Sequence, residues 1–333
     1  MKTLNKMNNT TGQFLKTSVL IAVFVFVATF VPLTALAQHY SPTNPPPVAA
    51  KGYIVLPIGA NLYWLSNGTQ HSIFLVYDKG VVAVDAPIVF QDFHLKAIAE
   101  TTDKPVTHLI YSHAHTDHIG AADGFPSNTV RIAQEETKGI LVRTKDSRRP
   151  PPNVTFKDNY TLRVGAEVLQ LDYKGPNHLK GNIFIYAPRQ KVLVLMDFLF
   201  TDNAYFPELG YPEDVPGMMR HFDYALAYDF QTFISGHVAR AATRDDLKLN
   251  QQYLNDLRDN ADAALQKITI PRVAQSLGKQ AEGNTMLVIR TYLEAVARET
   301  ERLQLLKWKG KLPGIEATTF YNALRMIQSR RVD

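Results

Sequence analysis

The sequence predicts an α/β domain followed by a helical C-terminal extension, on three observations. Short β-prone runs bounded by turn residues recur through residues 53–242, with helical stretches set between some of them. The residues best suited to metal chemistry fall where loops leave the carboxyl ends of those runs, as ligand sites do in open α/β folds. From Thr243 onward, apolar residues recur at helical spacing over long stretches.

The first 37 residues are set apart from the fold. Lys2, Lys6 and Lys16 precede an apolar run at 19–31, and Ala35-Leu36-Ala37 offers a small-x-small cleavage site before Gln38. This is the plan of a secretory signal peptide, so export to the periplasm or the medium is expected. An uncleaved anchor is the alternative, but the apolar run is short for a bilayer span. Residues 38–50, with Pro42, Pro45, Pro46 and Pro47, read as a stiff leader. The formal charge is +5; losing three lysines and no acidic residue leaves +2. So slight a charge predicts neither nucleic-acid binding nor, after cleavage, membrane binding. With no cysteine in the chain, disulfides, thiolate ligands and cysteine nucleophiles are excluded.

The domain at 51–242 opens with β-prone runs at 62–65 and 73–76 flanking Asn67-Gly68, a strong hairpin signal. A buried strand at 81–84 ends at Asp85. A helix at 91–100 and a strand at 106–111 follow, then a helix beginning at 119–122. Residues 130–132 suit a strand, 134–143 a helix, and the proline-rich 146–153 a surface loop. Strands return at 160–164, 167–171, 183–186 and 192–196. An aromatic loop then carries Phe198, Phe200, Tyr205, Phe206 and Tyr211, and a short strand at 232–234 leads to His237. The extension, 243–333, starts at Thr243 with Asp246 three residues on, a capping-box-like signal. Further helices are expected at 286–306 and 318–329. Clasping the main domain is the simplest role for this tail.

The densest chemistry lies in Ser112-His113-Ala114-His115-Thr116-Asp117-His118. Imidazole and carboxylate are ligands that zinc prefers, and so close a run of them is rarely idle. His178 in a Gly/Pro/Asn-rich loop, Asp197 after an apolar run and His237 after Ser235-Gly236 occupy similar strand-end positions. His39, His71, His94, His108 and His221 lack that setting and are read as ordinary. Glycine-rich nucleotide loops and the Gly-x-Ser-x-Gly elbow are missing.

His113-x-His115-x-Asp117-His118, then His178, Asp197 and His237, in that order, make the stretch from Lys51 to Arg240 resemble the metallo-β-lactamase-fold hydrolase superfamily. The resemblance implies a four-layer αβ/βα sandwich with a two-metal cleft along one edge. It implies that His113, His115 and His178 hold one metal, that Asp117, His118 and His237 hold another, and that Asp197 bridges them. Asp85 would support the metal loop. The expected cofactor is a pair of zinc ions, with iron or manganese as alternatives. Together they would provide hydroxide near neutral pH, with Asp117 orienting the nucleophile or moving a proton.

The expected partner is a small-molecule substrate. One lactamase branch has a cysteine at the position of Asp197 and a lysine three residues later; Asp197-Phe198-Leu199-Phe200 has neither. Another has a serine in place of the bridging aspartate. A bridging aspartate is typical of the thioesterase, lactonase and phosphodiesterase branches, and the cluster of Phe198, Phe200, Tyr205 and Phe206 favours an ester, lactone, thioester or amide with an apolar part. A β-lactamase proper, a phosphodiesterase and an iron-dependent, persulfide dioxygenase-like oxidoreductase are the alternatives.

Overall fold

Two β-sheets pack face to face, and each carries helices on its outer side. The computed structural model describes residues 43–332; the expected signal segment and the start of the leader lie outside them. The first sheet is built from β1 (Ile54–Gly59), β2 (Leu62–Ser66), β3 (His71–Tyr77), β4 (Gly80–Val84), β5 (Val106–Ile110), β6 (Val130–Gln134) and β7 (Val154–Phe156), in sequence order. Its first four strands are antiparallel neighbours, and from β4 to β7 the pairing is parallel. The second sheet contains β8 (Asn159–Val164), β9 (Glu167–Asp172), β10 (Phe184–Ala187), β11 (Val192–Val194) and β12 (Thr232–Ile234). Its spatial order is β12-β11-β10-β9-β8, with only β11 and β12 parallel.

Successive side chains on a strand point to opposite faces, and here both faces are apolar because both are covered. Val82 and Val84 of β4 meet Leu162, Leu171 and Ile185 between the sheets. Val81 and Ala83, the alternate positions, pack outward with Ala97 and Ile98 of α1 (His94–Ala99) and Leu141 of α3 (Glu135–Thr144). In the second sheet Val192 and Val194 face inward, while Leu193 and Phe233 face outward. That outer face is covered by α4 (Val215–Ala227), α5 (Arg244–Lys267), α7 (Thr285–Trp308) and α8 (Ile315–Val332). The short helices α2 (Thr116–Ile119) and α6 (Ile270–Leu277) complete the set. The fold is the four-layer sandwich with C-terminal helices.

Local signals explain most of these elements. Asn67 accepts the amides of Thr69 and Gln70 and so turns the hairpin between β2 and β3. Thr243 and Asp246 form a reciprocal capping box that starts α5. The helix expected to begin at 119–122 is instead the single turn of α2, and residues 122–124 form a separate 3-10 turn. Helix α4 was not anticipated, because Val215-Pro216-Gly217 reads as loop. Pro216 suits a first helical turn, where its missing N–H costs nothing, and Asp214 caps the helix by accepting from Gly217 N. Among the described residues no helix is long and apolar enough to cross a membrane.

Candidate metal centre

Loops leaving β4, β5, β9, β11 and β12 converge on one edge of the sandwich and carry all seven of the expected ligands. The first loop contributes a support. Asp85 follows β4 with φ of 62°, a left-handed backbone uncommon for a non-glycine residue and often found at functional sites. Its carboxylate accepts from Ser112 N and Ser112 Oγ, both at 2.7 Å, and lies 3.3 Å from His118 Nδ1.

These contacts set the tautomers. The Ser112 hydroxyl proton is used on Asp85, so the 2.9 Å contact of His113 Nδ1 with Ser112 Oγ has the imidazole as donor. His113 Nε2 is left as a lone pair facing His115 and Asp197. His118 is held through Nδ1 by Asp85 in the same sense, which turns its Nε2 towards Asp197 Oδ1 at 2.9 Å. Both are buried, as is Asp85. Arg149 fixes the loop from behind by donating to Ala114 O at 2.6 Å, and Gln70 does so by donating to Asp117 O at 3.1 Å.

His115 Nδ1 lies 3.0 Å from both His113 Nε2 and His178 Nε2. Three imidazole nitrogens aimed at one point suit a shared cation better than a set of hydrogen bonds. His178 is aimed by an asparagine pair. Asn177 Oδ1 accepts from His178 N and from Asn182 Nδ2, and Asn182 also donates to Met196 O beside Asp197. His221 N–H donates to Gly217 O, so its other nitrogen accepts from Asn177.

Asp197, at φ 56°, stands between two groups. Oδ2 is 3.2 Å from His178 Nε2 and 3.7 Å from His113 Nε2, whereas Oδ1 is 2.9 Å from His118 Nε2 and 3.4 Å from His237 Nε2. Asp117 Oδ2 closes the second group, 3.0 Å from His237 Nε2 and 3.7 Å from His118 Nε2. Each oxygen of one carboxylate thus serves a different trio. The approach requires Gly236, since a Cβ there would come within 1.8 Å of Asp197 Oδ1. Ser235 Oγ accepts from Phe198 N and Leu199 N and fixes the turn after the aspartate.

The electrostatics of the cluster are set by burial and by its two carboxylates. Burial, reinforced by neighbouring imidazoles, pushes His113 well below the usual histidine range and His115 down to about 4. Burial also opposes charge on Asp197, but His118 and His178 outweigh it and hold the carboxyl well below its usual range. At His237, burial is outweighed by the neighbouring carboxylates of Asp117 and Asp197, and its pKa rises to about 9.

A metal pair fits these residues. His113, His115, His178 and Asp197 form one group and Asp117, His118, Asp197 and His237 another, with the ligand atoms of each within 4.8 Å of one another. Asp197 Oδ1 is buried and makes no hydrogen bond of acceptable geometry, which suits a coordinating oxygen. His71, His94, His108 and His221 belong to neither group among the described residues; His71 contacts Val238 O, next to His237.

The trios open into a cleft of about 420 Å³ lined by His115, Asp117, His178, Asp197 and His237 together with Phe200, Phe206, Gly210 and Tyr211. Among the described residues no lysine or arginine lines it. Of the aromatic loop, Phe200 and Phe206 reach the cleft, while Phe198 and Tyr205 are buried in the core behind it. The supports Asn177, Asn182, Ser235, Gln70 and Arg149 carried no sequence signal as such. The one hint was that Asn177 and Asn182 bracket His178 in a turn-rich loop.

The profile of the Metallo-beta-lactamase superfamily matches residues 67–259, a span that holds Asp85 and all seven candidate ligands. The 2,4-dinitroanisole O-demethylase subunit alpha of Nocardioides sp. is 26% identical over 196 residues, 57% of this chain and 58% of that protein. A Metallo-beta-lactamase type 2 of Elizabethkingia meningoseptica is 30% identical over 134 residues, 38% of this chain and 53% of its own. The chain thus spans a little over half the length of these curated relatives. Among solved structures, the inverting sec-alkylsulfatase Pisa1 from Pseudomonas sp. aligns with 84% of this chain and 50% of its own, at 16% identity and a TM-score of 0.59. The metallo-beta-lactamase IND-7 aligns over 62% of this chain and all of its own, at 21% identity and a TM-score of 0.53.

Proposed function

The chain belongs to the metallo-beta-lactamase superfamily, and from that premise we propose that it is a two-metal hydrolase of an uncharged ester, lactone, thioester or amide with an apolar portion. One observation carries the reading: two ligand trios sharing Asp197 open into a cleft walled by Phe200, Phe206 and Tyr211, with no lysine or arginine among the described residues of its lining. Recognition of a substrate carboxylate, sulfate or phosphate would be served by lysine or arginine there. An apolar wall instead binds by removing hydrocarbon from water.

Zinc ions, when bound to these residues, supply Lewis acidity and a source of hydroxide near neutral pH. The protein's own part is to fix the ligands and handle the proton. Asp85 and Ser112 hold His118 and His113 by Nδ1, so that both turn Nε2 towards Asp197. Asp117 is the ligand most open to the cleft, its side chain 45% exposed. It is placed to orient the attacking group and to carry a proton towards the leaving group, with His237 at 3.0 Å as its partner.

The test is a hydrolysis panel on zinc-loaded protein, with metal content measured on the same sample. Two metals per chain and turnover of aryl esters, lactones or thioesters are expected. Turnover confined to phosphodiesters, alkyl sulfates or β-lactams would overturn the substrate reading. An aryl methyl ether belongs in the panel as the second reading, because the likeness to the O-demethylase subunit covers over half of the chain. Oxygen uptake with iron-loaded protein and no hydrolysis would place the activity among the oxidoreductases.

A further inference from the structure

One wall of the cleft is made from unusual backbone. Glu208, Leu209, Gly210 and Tyr211 follow one another with φ of 58°, 62°, 74° and 60°. Only the glycine adopts this left-handed conformation without a steric penalty. Three other residues within four persist there only where neighbouring groups over-determine the backbone.

Those groups come from the C-terminal helix. Asn322 of α8 is buried; its Oδ1 accepts from Leu209 N at 2.8 Å and its Nδ2 donates to Tyr205 O at 3.2 Å. Three residues on, Arg325 donates to Pro212 O at 2.6 Å. Helix α8 therefore grips the segment on both sides of the left-handed run. Leu209 is buried in the core that α8 shares with α4, α5 and α7, and the ring of Tyr205 stacks with that of Tyr253 on α5 at 5.9 Å. The outward residues of the same segment, Phe206 and Tyr211, line the cleft and are 53% and 63% exposed. Phe206 lies 6.5 Å from the His237 ring and 5.3 Å from that of Phe200, between centroids.

We propose that Asn322, assisted by Arg325, is a specificity-determining positioning residue that holds Phe206 and Tyr211 as the binding surface for the apolar part of the substrate. The proposal rests on the hydrolase reading for its substrate but not for the clamp itself. Without Asn322 the buried Leu209 N–H and Tyr205 carbonyl lose their partners, and the left-handed run relaxes. The ligand loops hang from the strand ends, and the loop of His178 is tied in addition just past the clamped segment, where Glu213 N and Asp214 N donate to His178 O and Asn177 O. Binding of a bulky apolar group should therefore suffer, and the chemical step much less.

Two measurements on Asn322→Ala, Arg325→Met and Arg325→Lys test this. In the zinc-loaded full chain, kcat/KM for a bulky aromatic acyl ester relative to the acetate of the same alcohol should fall about tenfold in Asn322→Ala, through KM rather than kcat. Arg325→Met should show a smaller fall, and Arg325→Lys should restore much of it. In the metal-free protein, hydrogen exchange at residues 205–213 should quicken in Asn322→Ala while α5 and α7 keep their protection. Unchanged exchange at 205–213, or equal losses for both esters through kcat, overturns the proposal. Should no ester be turned over even by the wild type, the hydrolase reading fails, and the exchange result alone upholds or overturns the clamp. Where Asn322→Ala does not fold, the half-buried Arg325→Met carries both readouts.

Discussion

The two ligand trios share Asp197 and differ in nearly everything else. His113, His115 and His178 make an all-imidazole group, with His113 and His178 buried and fixed from behind by Ser112 and Asn177. Asp117, His118 and His237 mix a carboxylate with imidazoles, and only His118 is buried; the side chains of Asp117 and His237 are 45% and 31% exposed. A ligand set held in place before binding loses less freedom on binding. The all-imidazole trio should therefore hold its metal more tightly, and the open trio should exchange its metal and meet the substrate.

Removing the shared carboxylate strikes both trios and should have the largest effect. Asp197→Ala should bind less than one metal per chain and lose activity by about three orders of magnitude, since metal stabilisation of a transition state is worth several kcal/mol. Elemental analysis with steady-state kinetics checks this; loss of one metal with the other intact would show that Asp197 serves a single trio. Asp85→Ala acts one step further out, on Ser112 and His118 together. Metal affinity at both sites should weaken by roughly 10–100-fold, as for other outer partners of metal ligands, measured by competition with a chromogenic chelator. Asn177→Ala touches only the imidazole trio, through His178. It should weaken the tighter site by about tenfold and narrow the gap between the two.

The smallest effect concerns the scaffold beneath both trios. His94 of α1 is buried between the rings of Phe90 and Phe125 and lies 3.1 Å from Ser72 Oγ, which donates to Val84 O next to Asp85. Burial pushes its pKa down to about 3. The unfolded chain takes up this proton below about pH 6.5 and the folded chain does not until about pH 3. Stability from this group is therefore level above about pH 6.5 and falls as pH drops below it, by about 1 kcal/mol per unit. His94→Gln should make that part of the curve less steep in denaturant titrations of the metal-free protein, with the buried His71 and His221 still contributing to it.

The site was far more legible in the sequence than its surroundings. The candidate ligands other than His178 follow short apolar runs, so strand-end chemistry could be read from composition and order, and all seven residues converge in the structure. Their supports could not be read that way. Asn177 and Asn182 look like turn residues, and their use in aiming His178 depends on a Met196 carbonyl from another strand end. The aromatic loop was legible only as a whole. Phe198 and Tyr205 turn into the core and Phe206 and Tyr211 turn out, a choice made by packing against α4, α5 and α8 rather than by residue type. The left-handed run at 208–211 contains one glycine to announce it, and its other restraint, Asn322, lies more than a hundred residues away.

Calorimetric titration of the metal-free chain with zinc tests the unequal pair most directly. Two equivalents binding in two resolved phases are expected, with His237→Ala abolishing the weaker phase and leaving the tighter one in place. A single equivalent in the wild type, or loss of the tighter phase in His237→Ala, would contradict the account.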